Sequence, residues 1–165
     1  METKRIIIED RNHIKDEELK EAASILRSGG LVAFPTETVY GLGGNALDED
    51  AARKIYAAKG RPSDNPLIAH VSCVEEVAPL VKEIPEAGRK LMEAFWPGPL
   101  TMIFPKSENG SLRHNRRSGS VAIRMPDDPV ANRLIALAGV PVAAPERQYI
   151  EDGQAPLQPT MYGRI

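Results

Sequence analysis

The chain has 165 residues, of which 42% are hydrophobic and 27% charged, and its net charge is −2. This length and composition are typical of one soluble globular domain that can bury a core without disulfides or metal. The small negative charge excludes a protein that coats nucleic acid by charge alone, although 21 Lys and Arg still permit a local basic groove.

Cysteine content and apolar patterning set further bounds. A single cysteine, Cys73, excludes an internal disulfide and a metal cluster built from several cysteines, and we interpret it as a half-buried thiol rather than a nucleophile. The first residues contain no apolar signal segment, and no apolar run reaches membrane-spanning length. We therefore expect a cytoplasmic protein with no membrane partner and no dedicated metal site.

Short apolar runs alternate with runs of helical spacing along most of the chain. In chain order, the predicted elements are a strand at 6–8, a helix ending at 28–30, a strand at 31–34, a helix at 48–59, a strand at 67–71, a helix starting at 85, strands at 100–104 and 120–124, a helix with 130, 134 and 137 on one face, and a strand at 140–143. This alternation predicts an α/β fold, with helices packed on a twisted sheet. In the helix that Pro85 opens, Gly88, Leu91, Met92 and Phe95 share the face that we expect to be buried.

The first motif that could carry chemistry is FPTETVYGLGGNA at 34–46. A strand that ends in a proline followed by hydroxyls and glycines predicts a tight loop at a sheet edge, where ligands often bind. The glycines would let a substrate approach the backbone closely. The alternative is an ordinary glycine turn that caps the next helix, and spacing alone favours it. The glycines match neither the dinucleotide-binding fingerprint nor the P-loop pattern.

The second motif is KGRPSDNPL at 59–67, followed by His70. Lys59 and Arg61 are cations on a segment stiffened by two prolines, which suits the binding of a polyphosphate. Alternatively, Lys59 only meets the dipole at a helix C-terminus, and His70 is a structural histidine.

The third motif is SGSVAIRMP at 118–126. Ser120, Ala122 and Arg124 alternate, so they lie on one face of the predicted strand. An arginine at the end of that strand could bind a carboxylate bidentately, although a solvent-facing arginine is the commoner case. The basic run at 113–117 is either solvated loop or a contact to RNA phosphates.

Five collinear segments, FPTETVYGLG, KGRPSDNPL, WPGPLT, VAIRMPDDP and GVPVAAP, resemble the threonylcarbamoyl-AMP synthase (YrdC-like) family over residues 20–145. The resemblance implies an open, twisted, mixed sheet flanked by helices, with a concave basic groove. It implies a nucleotidyltransferase that forms threonylcarbamoyl-AMP and pyrophosphate from L-threonine, bicarbonate and ATP. A separate transferase would then pass the threonylcarbamoyl group to tRNA, and binding of double-stranded RNA is also implied.

The resemblance also implies roles for individual residues. L-threonine would be bound by Thr38, His70 and Arg124, together with the backbone near Ala144. ATP would be bound by Lys59, Arg61, Asn65 and Ser120, and Lys59 and Arg61 would also serve catalysis by neutralising the phosphates. Mg²⁺ would bridge the phosphates, because no carboxylate cage is visible in the sequence.

The resemblance fails after residue 145, where the family continues Ser-Ala-Asn and this chain continues Glu146-Arg147-Gln148. Residues 1–145 are therefore interpreted as an incomplete YrdC-like domain, and residues 146–165 as an atypical, poorly ordered tail. One possible coding of residues 145–150, Pro-Glu-Arg-Gln-Tyr-Ile, is CCC-GAG-CGC-CAA-TAT-ATC. Removal of one C from its start gives codons for Pro-Ser-Ala-Asn-Ile, which is the family's motif. We therefore hypothesise a one-base frameshift before Glu146.

Two other functions remain open from the sequence. The leading interpretation is a synthase, or a catalytically defective, truncated homologue of one. The first alternative is a non-catalytic module of the same fold that binds double-stranded RNA or tRNA. The related carbamoyl-transfer domain of hydrogenase maturation fits less well, because it normally lies in a much longer chain with zinc-finger-like cysteines.

Overall fold

The computed structural model describes residues 3–59, 67–108 and 119–145, together with the backbone of 160–164; the side chain of Lys59 lies outside the described part. The strands are β1 (Thr3–Ile7), β2 (Leu31–Phe34), β3 (Gly41–Asn45), β4 (Ile68–His70), β5 (Met102–Pro105), β6 (Ser120–Arg124), β7 (Val142–Ala144) and β8 (Thr160–Arg164). The helices are α1 (Asp16–Arg27), α2 (Glu49–Lys59), α3 (Glu86–Phe95) and α4 (Pro129–Ala138). Two short 3₁₀ turns, Val74–Glu76 and Ala78–Leu80, precede α3.

The strands form one mixed sheet in the order β1-β8-β2-β3-β7-β4-β6-β5. Strands β4 and β6 run parallel, with His70 paired to Arg124, whereas the other strand pairs of the described residues are antiparallel. The predicted open mixed sheet with flanking helices is therefore confirmed. The predicted basic groove stays a prediction, because most of its expected cations lie outside the described residues.

Helices α1 and α4 lie on one face of the sheet, called the first sheet face here, and cover the half that contains β2 and β7. Their buried side chains pack with Val32, Phe34, Val142 and Ala144 of the sheet into one apolar cluster. Gly29, just after α1, has φ 80°, as the predicted glycine stop requires. These two helices therefore leave the β4–β6–β5 half of the same face for other contacts.

The opposite face is covered by α2 and α3. Gly44 of β3 lies against Ala51 and Ile55 of α2, and Gly88 of α3 lies against Phe104 of β5. Gly88 and Met92 of α3 are buried as predicted. Leu91 and Phe95 are exposed, so the expectation that they share the buried face is wrong: only one narrow stripe of this short helix meets the edge of the sheet.

The glycines of the first motif do not form the predicted loop. They belong to β3, which pairs with β2 on one side and β7 on the other. A Cβ at Gly43 would lie 2.5 Å from both Phe34 Cε1 and Val142 Cγ1. These glycines let strands and side chains pack closely, and their role in admitting a substrate to the backbone stays a prediction.

The C-terminal residues contribute one further strand. Strand β8 lies between β1 and β2 and pairs with both in antiparallel register. The predicted tail at 146–165 thus includes a strand at 160–164, and its remaining residues lie outside the described part. The predicted boundary at residue 145 stays a prediction.

Candidate functional site

The open half of the first sheet face is lined by β4, β6 and β5. The registers place Ile68 and His70 of β4 and Ser120, Ala122 and Arg124 of β6 on this face. Ile103 of β5 lies on it too and is 72% exposed, while Ser120 and Ala122 are partly exposed. This exposure marks the part of the face at Ser120, Ala122 and Ile103 as accessible, whereas His70 and Arg124, at the carboxyl ends of its two parallel strands, are buried.

The loop between β2 and β3 is closed by Thr36. Its N–H donates to Val39 O at 3.1 Å, and its Oγ1 accepts from the N–H groups of Thr38 (3.3 Å) and Val39 (3.1 Å). Local side-chain bonds of this kind fix a loop without secondary structure. The closed loop carries Glu37 and Thr38 to the end of β6.

Arg124 is the centre of the site, and it is buried (8% exposed). Its Nη2 donates to Glu37 Oε1 at 2.6 Å and to Thr38 Oγ1 at 3.4 Å, and its Nε donates to Gly98 O at 3.3 Å. Within the described residues, its Nη1 makes no hydrogen bond. A guanidinium held this way on one edge keeps donors for a planar anion on the other.

Gly98 belongs to the turn that joins α3 to β5. Its N–H donates to Met125 O at 2.8 Å, which fastens the turn to the end of β6, and Trp96 Nε1 donates to Leu100 O at 2.7 Å. A Cβ at Gly98 would lie 2.5 Å from Phe95 O, so only glycine fits here without a shift of the backbone. The turn therefore presents the Gly98 carbonyl to Arg124.

Glu37 is the acidic partner in the site. Burial alone would raise the pKa of its carboxyl, but the hydrogen bond from Arg124 and those from the backbone N–H groups of Glu37 and Asp127 hold the pKa below its usual value. The carboxylate is thus ionised at neutral pH, and its side chain retains 22% exposure.

His70 lies beside Arg124 and is held as a neutral ring. Its Nδ1 lies 3.1 Å from Ile68 O and 3.3 Å from Val142 O, and because both are acceptors, Nδ1 carries the proton. Burial, followed by the charge of Arg124, lowers the His70 pKa to about 4. Phe34 meets the ring edge-on at a centroid distance of 6.1 Å. Nε2 is therefore an acceptor, and it makes no hydrogen bond within the described residues.

The structure places the remaining predicted residues at different distances from Arg124. Ala144 is buried on β7, where its neighbour Ile68 lies two residues before His70. Ser120 lies on the same face as Arg124 but four residues earlier, roughly 13 Å along the strand. Arg61, Asn65 and the side chain of Lys59 lie outside the described residues, so their assignment to ATP stays a prediction.

Thr38, His70 and Arg124 are thus brought together as expected, whereas Glu37 and Gly98 were missed. Glu37 lies inside a motif that was singled out for its hydroxyls and glycines, and a carboxylate one residue before Thr38 was the available signal. Nothing in the sequence ties the Gly98 carbonyl to an arginine 26 residues away.

The charge and shape of this arrangement suit a small polar molecule with a carboxylate. Arg124 offers the cation, and Thr38 and His70 offer a hydroxyl and an acceptor nitrogen beside it. In the parts of the chain that the structure describes, no group of three or more His, Cys, Asp or Glu could hold a metal ion. The described helices also include none long and apolar enough to cross a membrane.

Known proteins with this fold are numerous. The family model of Sua5, YciO and YrdC proteins, described as telomere recombination, matches residues 24–155. Threonylcarbamoyl-AMP synthase of Pyrococcus abyssi is 51% identical over 140 residues, which cover 85% of this chain and 41% of that protein. Threonylcarbamoyl-AMP synthase of Bacillus subtilis is 49% identical over 148 residues, which cover 88% of this chain and 43% of that protein.

A solved structure agrees with these matches. The crystal structure of P. abyssi Sua5 complexed with L-threonine superposes with a TM-score of 0.75 and 50% identity, over 81% of this chain and 39% of that one. The chain thus spans about two fifths of the length of these relatives. The matched segment contains the β2–β3 loop, β4, β6 and β7, which build the site described above, and the chain belongs to the Sua5/YciO/YrdC family.

Proposed function

We propose that this chain carries the threonine- and ATP-binding domain of a threonylcarbamoyl-AMP synthase. The observation that carries the proposal is the cluster of Arg124, Thr38 and His70 on an open sheet face. Relatives at 49% and 51% identity carry that enzyme name, and one homologous structure was solved with L-threonine.

In this proposal, each described side chain meets one part of threonine. The carboxylate binds the Arg124 guanidinium, whose Nη1 faces away from Glu37 and Gly98. The hydroxyl of the ligand donates to His70 Nε2, which is unprotonated because burial and Arg124 keep the His70 pKa at about 4. Thr38 Oγ1 and the backbone near Ala144 complete the contacts.

ATP would bind further along the same face. Lys59 and Arg61 would neutralise the phosphates and thereby serve catalysis, and Asn65 and Ser120 would bind the nucleotide. Mg²⁺ would be held by the phosphates, because the described residues offer no carboxylate cage. The carboxylate of N-carboxylated threonine would attack the α-phosphorus and release pyrophosphate, a step that needs positioning and charge neutralisation.

The product would be consumed by a separate threonylcarbamoyl transferase that modifies tRNA in the cytoplasm, and binding of tRNA or double-stranded RNA remains part of the proposal. The test is pyrophosphate release from ATP with Mg²⁺, L-threonine and bicarbonate, with each component omitted in turn. Release that requires all components supports the synthase. Folded protein that binds threonine but releases no pyrophosphate would identify a defective homologue or a binding module.

A further inference from the structure

The acidic partner of Arg124 distinguishes this site from a simple carboxylate-binding pocket. Glu37 Oε1 lies 2.6 Å from Arg124 Nη2, and the two side chains are 22% and 9% exposed. A ligand that carries only a carboxylate must approach Arg124 next to this fixed anion. Repulsion between like charges at such short range weakens the binding of such a ligand.

The Glu37 carboxylate is fixed by more than Arg124. The backbone N–H groups of Glu37 and Asp127 help to lower the pKa of this carboxyl, and the loop that carries it is closed by Thr36. A carboxylate has about four acceptor sites, so at least one site remains beyond the hydrogen bond from Arg124. The remaining exposure of the side chain leaves that site open to a ligand donor.

A zwitterionic amino acid matches this pair of charges. Its carboxylate and its α-ammonium are separated by a single carbon atom, as two neighbouring opposite charges. Arg124 and Glu37 present the complementary pair at hydrogen-bond distance from each other. A ligand without the amine would still be attracted to Arg124 through its carboxylate. Its repulsion by the Glu37 carboxylate, however, would not be offset by any positive charge on the ligand.

We propose that Glu37 is a specificity residue that selects α-amino carboxylates by binding the α-ammonium group, while Arg124 binds the carboxylate. The proposal rests on the proposed function in placing the ligand carboxylate at Arg124. It concerns the first binding of the free amino acid, before any reaction of the amine.

The test compares matched ligands that differ only in the amine. Isothermal titration calorimetry would measure L-threonine against (R)-3-hydroxybutyrate, and L-alanine against propionate, on the full chain and on Glu37→Gln. The full chain should prefer each amine-bearing ligand by about tenfold or more. In Glu37→Gln the affinity for L-threonine should fall about tenfold while that for (R)-3-hydroxybutyrate stays equal or rises, so that the preference disappears.

Two further variants separate selection from folding. Glu37→Asp keeps the charge and should keep a preference for the amine, and the exposed Glu83→Gln should behave as the unmodified chain. Thermal melting would confirm that each variant is folded. Equal loss of affinity for both ligands in Glu37→Gln would show that Glu37 only orients Arg124, and it would overturn the proposal, as would an unchanged preference.

Failure of the proposed function gives a different result. If the chain prefers L-alanine to propionate but does not bind L-threonine more tightly than L-alanine, the threonine assignment fails while the role of Glu37 stands. If threonine binds and Glu37→Gln keeps the preference for the amine, only the role of Glu37 fails. If the unmodified chain shows no preference for the amine in either pair, the role of Glu37 is refuted.

Discussion

His70 and Arg124 occupy paired register positions at the ends of two parallel strands, so that an imidazole and a guanidinium lie side by side on one sheet face. Together, the buried surroundings and the neighbouring cation keep the imidazole neutral. The pair thus combines one permanent charge with one acceptor nitrogen. The neutral state of His70 has measurable consequences for stability.

The stability of the protein should fall in mildly acidic solution because of His70. In the unfolded chain the histidine pKa is near 6.5, and in the folded state it is about 4. Between these values the unfolded chain binds more protons, so the free energy of unfolding decreases as pH falls. Between pH 7 and pH 5 we expect a loss of about 2 kcal/mol.

Urea denaturation at pH 7, 6 and 5 would measure this loss. His70→Asn keeps a side-chain donor near the carbonyls of Ile68 and Val142 but cannot titrate, so its unfolding free energy should depend less on pH over this range. An equally steep pH dependence in the variant would contradict the assignment of the loss to His70.

Replacing Arg124 should strongly weaken binding of the carboxylate ligand. Arg124→Lys retains a positive charge but loses the fork that meets Gly98 O and Glu37 at once, so we expect threonine affinity to fall at least about thirtyfold. Titration calorimetry would measure it. Arg53→Lys, an exposed substitution on α2, is the matched control and should change nothing. Unchanged threonine affinity in Arg124→Lys would show that the guanidinium does not bind the ligand carboxylate.

Adding one methyl group at Gly43 should destabilise the sheet. The new Cβ would lie 2.5 Å from atoms of both Phe34 and Val142, and side chains in the core cannot yield that far without strain. We expect Gly43→Ala to cost about 1–3 kcal/mol, measured by chemical denaturation. Gly119→Ala is the control, because a Cβ there meets nothing within 4 Å. If both variants lost a similar free energy of unfolding, the backbone flexibility of glycine, and not close packing at Gly43, would explain the destabilisation.

Asp128 should stabilise α4 in two separable ways. Its Oδ1 accepts from the N–H groups of Val130 (2.9 Å) and Ala131 (3.1 Å), and its Oδ2 binds Arg11. Asp128→Asn keeps the cap but loses the charge, whereas Asp128→Ala loses both. We expect Asp128→Ala to cost about 1–2 kcal/mol more than Asp128→Asn in thermal or urea unfolding. Equal costs would assign the whole effect to the ion pair with Arg11.

The frameshift hypothesis has a direct test at the gene. A single extra base before the Glu146 codon would explain why Pro145 is followed by Glu-Arg-Gln instead of Ser-Ala-Asn. Reading the genomic sequence would decide it, and a gene without that base would refute the hypothesis. If the base is present, a corrected chain should bind ATP more tightly than this one, because the family's Ser-Ala-Asn segment would be restored.

Much of the fold was predictable because its elements obey local rules. The apolar run Leu31–Phe34 and the alternating run Ser120–Arg124 form strands with the predicted bounds. Helix α1 buries Leu19, Ala22, Ala23 and Leu26, as its spacing indicates. The cluster of Thr38, His70 and Arg124 was predictable from the resemblance to the family, since spacing alone left each residue with an ordinary structural alternative.

The rest depended on tertiary contacts that no local pattern encodes. The run Gly41–Asn45 lacks the side chains of a typical strand, and it forms one because Phe34, Val142 and α2 occupy the space that side chains would need. Leu91 and Phe95 remain exposed because the sheet edge meets only one stripe of α3. Gly98 lies beside Arg124 in a turn whose backbone is bonded to Met125 O, a residue 27 positions later in the chain.

The parallel pairing of β4 with β6 also affects how this site tolerates change in chain length. The positions of His70 and Arg124 relative to each other are set by strand register, not by the 53 residues between them. Insertions or deletions in the segment that joins β5 to β6 would therefore leave the two side chains adjacent. The length of this connection can therefore change without separating the imidazole from the guanidinium.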